Sequence, residues 1–162
     1  MNAIQGLRVG LGMDSHRIAI GGPLILGGIK LDADMHLVGH SDADVLLHAI
    51  TDAVLSAAGL PDIGQIFPNT SDENKGRDSG EILAQAMDLV RENGWSILNL
   101  DCVVQMERPK LSPYKGLMKQ RIAELLRIDI SQVSVKGKTG EGVGEIGRSE
   151  LAAATCVVLL YK

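Results

Sequence analysis

The sequence predicts an α+β fold in two layers: one β-sheet with helices packed on one of its faces. Three observations lead there. Strand-length apolar runs are interleaved with three segments of helical period. Glycine and proline punctuate the boundaries between them. Hydrophobic residues make up 45% of the 162 and charged residues 22%, which at this length supplies a core without disulfides or a structural metal. The size predicts one domain over residues 1–162. The slightly positive mean hydropathy suggests a buried oligomer interface.

The elements follow in order. "LRVGLGMD" (7–14) reads as a first strand, and "PLILGGIKL" (23–31) as a second extended segment closed by glycines. Residues 42–58 read as a helix: Ser41 or Asp42 supplies the cap, Asp44 lies in the first turn, and Gly59-Leu60-Pro61 ends it. "PDIGQIFPNTSDENKGRD" (61–78) is a long polar segment, and loops of that length are more often functional or mobile than idle. A second helix runs from about Ser79 to Asn93 and stops at Gly94. "WSILNLDCVVQM" (95–106) is a strand, "RPKLSP" (108–113) a turn, and residues 114–127 a third helix. "QVSVKGK" (132–138) is a strand, "TGEGVGEIG" (139–147) a glycine-rich loop, and "ELAAATCVVLLYK" (150–162) the last strand.

Composition excludes several function classes. The net charge is −4 and only four residues are aromatic, so no basic face with stacking rings is available for nucleic acid. No apolar run is long enough to cross a bilayer, so no membrane partner is expected. The N-terminal "MNAIQGLRVG" has neither a secretory nor a transit pattern, and the expectation is a bacterial-type cytoplasmic protein. Cys102 and Cys156 lie far apart without zinc-finger spacing and read as small buried hydrophobes.

Three constellations carry chemistry. In "GHSDADVLLHAITDA" (39–53), Asp44, His48 and Asp52 are spaced i, i+4, i+8 and share one helix face. That stripe offers a metal ligand, or else an exposed row of Asp–His pairs. His40 stands just before the helix, where N–H groups and the positive dipole end favour anions. In "MDSHR", Asp14 and His16 are i, i+2 on a strand and face the same side. With His48 they would complete a three-ligand zinc site that keeps one position open. His36 is left as a surface residue. The third is "KGKTGEGVGEIGR" (136–148), where glycines let backbone N–H groups approach an anion. It lacks the spacing of a Walker A loop, and a flexible β-hairpin is the plainer reading. The GxG of "VGLGMDS" lacks the remainder of a dinucleotide fingerprint.

Taken together, "GMDSHR", "LVGHSDADVLLHAITDAVLSAAGLPDIGQIFPNT", "RPKL" and "VKGKTGEGVGEIGRSE" resemble the 2-C-methyl-D-erythritol 2,4-cyclodiphosphate synthases of the non-mevalonate isoprenoid pathway. The resemblance spans nearly the whole chain, in order. It implies a ferredoxin-like mixed sheet and a homotrimer with active sites between chains. It implies a lyase that cyclises a cytidine diphosphate derivative of methylerythritol 2-phosphate and releases CMP. Asp14, His16 and His48 match the zinc ligands, one ion per chain. His40 and Ser41 match the pair that holds phosphates at the helix start. Asp62 and Gly64 match contacts to the polyol, with Phe67 and Pro68 of "FPNT" continuing that loop. Residues 106–112, including Met106, Pro109, Lys110 and Leu111, match the cytosine pocket. Lys138 and Thr139 match contacts to the diphosphate, and Thr139 pairs with His40 in catalysis. Glu141 matches the ligand of a second divalent ion, Mg²⁺ or Mn²⁺. Arg148 points to a cavity on the threefold axis. Two positions depart from the pattern: Lys138 stands where threonine is common, and Glu145 stands where the cavity is apolar in relatives. The rivals are a zinc-dependent phosphohydrolase and a non-enzymatic trimeric binding module.

Overall fold

The protein is described by a computed structural model over residues 6–68, 70 and 75–162. In chain order the elements are β1 (Leu7–Ile20), β2 (Leu24–Leu26), β3 (Ile29–Leu31), β4 (Met35–Val38), α1 (Val45–Ala58), α2 (Ile63–Ile66), α3 (Ser79–Glu92), β5 (Ser96–Gln105), α4 (Lys115–Leu126), β6 (Val133–Lys138), α5 (Gly144–Gly147) and β7 (Leu151–Tyr161). Five strands form one sheet in the order β4-β1-β7-β5-β6. Only β5 and β6 run parallel, joined by the α4 crossover, so the sheet is mixed. The long pairing of β1 with β7 runs from Leu7↔Tyr161 to Arg17↔Leu151.

The expected layers are present, with differences that have local causes. The first strand continues to Ile20 because its second half pairs with β4, the short strand "MHLV" that the sequence left unassigned. "PLILGGIKL" is a hairpin, β2 to β3, because Gly27 and Gly28 both take positive φ and close a two-residue turn. The glycine-rich stretch after β6 is no hairpin: β6 pairs with β5, and β7 lies between β1 and β5. Two single helical turns, α2 and α5, lie within segments read as loops.

α1 is buried on eleven of its fourteen residues. It is apolar nearly all round because the sheet covers one side and α3 another. Among the described residues, no long helix packs on the opposite sheet face. There Val9, Leu11 and Met13 of β1 and Val157 of β7 are exposed. Cys102 and Cys156 sit opposite each other on the covered face, buried as expected. No helix among the described residues is long and apolar enough to cross a membrane.

Candidate metal centre

Alternation along β1 puts Gly10, Gly12, Asp14 and His16 on the side facing α1. The two glycines have a packing reason. A β-carbon at position 12 would lie 1.9 Å from the Ala49 carbonyl oxygen, and one at position 10 would lie 2.1 Å from that of Ala53. Their missing side chains let α1 rest directly on β1. His48, beside Ala49, thereby reaches Asp14 and His16 farther along the strand.

The three polar atoms form a tight triangle. Asp14 Oδ2 is 2.8 Å from His16 Nε2 and 3.0 Å from His48 Nδ1. The two ring nitrogens are 3.2 Å apart. A tetrahedral ion with ligands at about 2.0–2.1 Å holds them roughly 3.3 Å from one another, so these spacings fit one. The proton inventory agrees. His16 Nδ1 lies 2.9 Å from the Val38 carbonyl oxygen, which only accepts. That nitrogen therefore carries the hydrogen, and Nε2 offers its lone pair to the triangle. Burial pushes the Asp14 carboxyl up, but when the imidazoles of His16 and His48 are protonated, the form that holds no metal, their hydrogen bonds and charge outweigh it and hold it well below the usual carboxylate range. Burial pulls His16 down, and Asp14 with the Val38 carbonyl raises it past its ordinary value. Among the described residues, this is the group of His, Cys, Asp or Glu placed to hold a metal ion.

The triangle lies in a pocket that also gathers His40, Ser41, Asp52, Gly64 and Phe67. Asp52 tethers its far wall, because Oδ1 accepts the Ile63 N–H at 2.9 Å and so pins the start of α2 to α1. A second pocket gathers Met106, Pro109, Lys110, Leu111, Lys138 and Thr139 at the ends of β5 and β6.

A model of the YgbB family matches residues 7–161. A 2-C-methyl-D-erythritol 2,4-cyclodiphosphate synthase from Rhodopirellula baltica is 50% identical over 155 residues, which cover 96% of this chain and 93% of the relative. The chain belongs to the family of these synthases. Solved structures agree. A Plasmodium falciparum IspF in complex with CDP superposes with a TM-score of 0.85 at 34% identity, covering 98% of both chains. The bifunctional IspDF from Campylobacter jejuni gives 0.93 at 42% identity over 96% of this chain, which spans 42% of that longer one. The cyclodiphosphate synthases are lyases of isoprenoid biosynthesis, and the chain is an enzyme of that class.

Within this synthase fold, the sequence-based assignments of Asp44 and His36 change, and the cap of α1 is neither Ser41 nor Asp42. Asp44 is neither in the first turn nor on the metal stripe. It is the N-cap of α1, fully buried, and accepts N–H groups from Leu46 and Leu47 and from Gly27 and Gly28 of the β2–β3 turn. Helical i, i+4 spacing stops applying at the cap, where the backbone leaves helical geometry. His36 is half-buried in β4, with Nδ1 2.8 Å from the Gly21 carbonyl oxygen. Asp62 caps α2 by accepting the Gln65 N–H. Phe67, Pro68 and Thr70 of "FPNT" are described, and Asn69 lies outside the described residues. Glu141 is exposed in a turn at φ 51°. Arg148 forks onto Glu150. Neither Glu141 nor Arg148 lines either pocket.

Two sets of contacts escaped the sequence. Glu107 accepts the N–H groups of Gly140 and Gly142, so those loop amides already face an anion within the chain. Ser79 and Asp42 meet behind His48. The spacing of a motif along one element cannot reveal contacts between elements. The contact of Ser79 with Asp42 leaves a trace in the small polar residues near two helix starts, and that of Glu107 leaves none.

Proposed function

We propose that the chain converts 4-diphosphocytidyl-2-C-methyl-D-erythritol 2-phosphate to 2-C-methyl-D-erythritol 2,4-cyclodiphosphate and CMP. An oxygen of the 2-phosphate forms a bond to the β-phosphorus, and the bond from that phosphorus to the CMP oxygen breaks. Water takes no part. Such transfers are accelerated mainly by positioning and by neutralising charge. The observation that carries this reading is the Asp14–His16–His48 triangle in a pocket that also holds His40 and Ser41 at the approach to α1.

The residues divide the work. Asp14, His16 and His48 hold one zinc, and Glu141 a second divalent ion, Mg²⁺ or Mn²⁺. The ions supply positive charge that a chain of net charge −4 lacks for a polyanionic substrate. His40 and Ser41 hold the 2-phosphate end, and Asp62, Gly64, Phe67 and Pro68 enclose the polyol. Met106, Pro109, Lys110 and Leu111 receive the cytosine, while Lys138 and Thr139 hold the diphosphate. His40 and Thr139 steady the charge that develops at phosphorus.

A homotrimer accounts for the two separate pockets. β1 and β6 are separated in the sheet by β7 and β5, so the triangle and Lys138 are several strand spacings apart within a chain. Burying the apolar face of Val9, Leu11 and Met13 against neighbours would join the metal half of one chain to the nucleotide half of the next. Arg148 then faces the threefold axis.

Phosphorus NMR of the reaction, with and without a chelator, tests the activity. A cyclic diphosphate with CMP, lost on chelation, is expected. A linear monophosphate would make the chain a hydrolase, and a chain that shows no turnover and holds no stoichiometric zinc after mild purification would be a binding module.

A further inference from the structure

Ser79 is the first residue of α3 and is fully buried. Its Oγ lies 2.8 Å from His48 Nε2. The same hydroxyl is hydrogen-bonded to Asp42 Oδ1, and the Ser79 N–H donates to Asp42 Oδ2 at 3.0 Å. A serine has one hydroxyl proton, and an ionised carboxylate only accepts. The proton therefore goes to Asp42. What Oγ turns toward His48 is a lone pair, and a lone pair requires a hydrogen on Nε2. Ser41 Oγ, 3.1 Å from the same nitrogen, also accepts the Ala43 N–H. His48 is left with its free lone pair on Nδ1, the atom that faces Asp14 and His16.

We propose that Ser79, backed by Asp42, is a positioning residue for the metal centre. The relay runs from His48 Nε2–H to Ser79 Oγ, and from Ser79 O–H to the Asp42 carboxylate. It fixes the tautomer and ring angle in which His48 binds metal through Nδ1. The proposal rests on the metal reading above. The other neutral tautomer would turn an N–H toward Asp14 and His16 and offer no ligand.

Asp42 is itself held. Its Oδ1 accepts the Asp44 N–H at 3.1 Å, and its own N–H donates to the Arg77 carbonyl at 3.2 Å. The Gly76 N–H donates to the His40 carbonyl at 2.9 Å. The relay thus ties the return of the 61–78 loop to the ligand on α1, across 31 positions of sequence from His48 to Ser79. His16 is treated alike by the Val38 carbonyl. Both imidazoles are oriented by an oxygen on the side away from the triangle, and three lone pairs converge where a cation belongs.

The test uses the full chain and needs no turnover. In zinc-free protein, at a pH above imidazole titration, long-range proton–nitrogen NMR correlations show which His48 nitrogen carries hydrogen. Nε2–H is expected in the wild type, and a mixture of tautomers in Ser79→Ala. Competition against a chromophoric chelator should give a zinc Kd weaker by about tenfold or more in Ser79→Ala, with one zinc per chain still reached at saturation. Ser79→Thr, which keeps the hydroxyl, should restore part of the affinity. A wild-type proton on Nδ1 overturns the proposal whatever the variants do. So does a Ser79→Ala chain with unchanged tautomer and unchanged Kd. A wild type that binds no zinc overturns the metal reading and the ligand half of the proposal, while the tautomer spectrum still decides the relay.

Discussion

Gly12 and Ala49 touch through their backbones: a β-carbon on Gly12 would lie 1.9 Å from the Ala49 carbonyl oxygen and 2.6 Å from the Ala53 nitrogen. No rotamer change relieves a clash with backbone. Gly12→Ala must push α1 off β1, and His48 moves with it. The expected cost is about 3 kcal/mol of stability, typical of an overpacked core, together with loss of zinc uptake. Gly116, early in α4 with open space where a β-carbon would go, is the control. Gly116→Ala should stabilise by about 0.4–1 kcal/mol. Urea unfolding measures both, and a Gly12→Ala chain as stable as wild type would remove the close-contact argument.

Asp44 holds four backbone N–H groups in the interior, from Gly27, Gly28, Leu46 and Leu47. Asp44→Ala strands them. An unsatisfied buried donor costs about 1–3 kcal/mol, so a loss of about 3–5 kcal/mol is expected from the set, since some will find water. A loss near 1 kcal/mol, the size of an ordinary cap, would mean that the β2–β3 turn does not depend on this carboxylate.

His48→Ala should bind no zinc and turn over no substrate while its far-UV circular dichroism stays native. Three protein ligands leave no spare. Asp14→Asn should behave similarly, because a neutral amide is a poor zinc ligand. One zinc per chain in the purified His48→Ala protein would refute the assignment.

Glu141→Gln should keep its zinc and lose most activity, with part restored by added Mg²⁺ or Mn²⁺. The exposed turn that carries Glu141 tolerates the change, so unfolding would not confuse the result. Unchanged activity and unchanged metal dependence would remove Glu141 from the site.

Shared sites can be tested by mixing two inactive chains, His48→Ala and Thr139→Val, unfolded and refolded together in equal amounts. An intact site needs its metal half from the Thr139→Val chain and its nucleotide half from the His48→Ala chain. Under cyclic symmetry and random mixing this occurs at roughly a quarter of sites. Activity should return to about that fraction of refolded wild type. Mixed trimers confirmed by mass spectrometry but without activity would place both halves on one chain.

The sequence by itself determined whatever depends on neighbours along the chain. Period two along β1 aligned Asp14 with His16, and helical period placed His48 on α1 one turn before Asp52. Apolar runs bounded by glycine and proline marked α1, α3, α4, β5 and β7 to within a few residues. Tertiary structure decided whatever depends on how those pieces pack. β4 is too short to show a period and exists because the far half of β1 offers it an edge. Asp44 looked like a member of the polar stripe. It became a buried cap because the β2–β3 turn comes to rest on the start of α1 and presents its amides there. The GxG of Gly10 and Gly12 carries no nucleotide fingerprint in the sequence, and only the packed structure shows that its role is to let a helix touch a strand. Ser79 gained its contact with His48 only when α3 packed against α1. Backbone geometry repeats locally and so can be read from spacing, whereas the meeting of two elements is set by side-chain volumes distributed over the whole core.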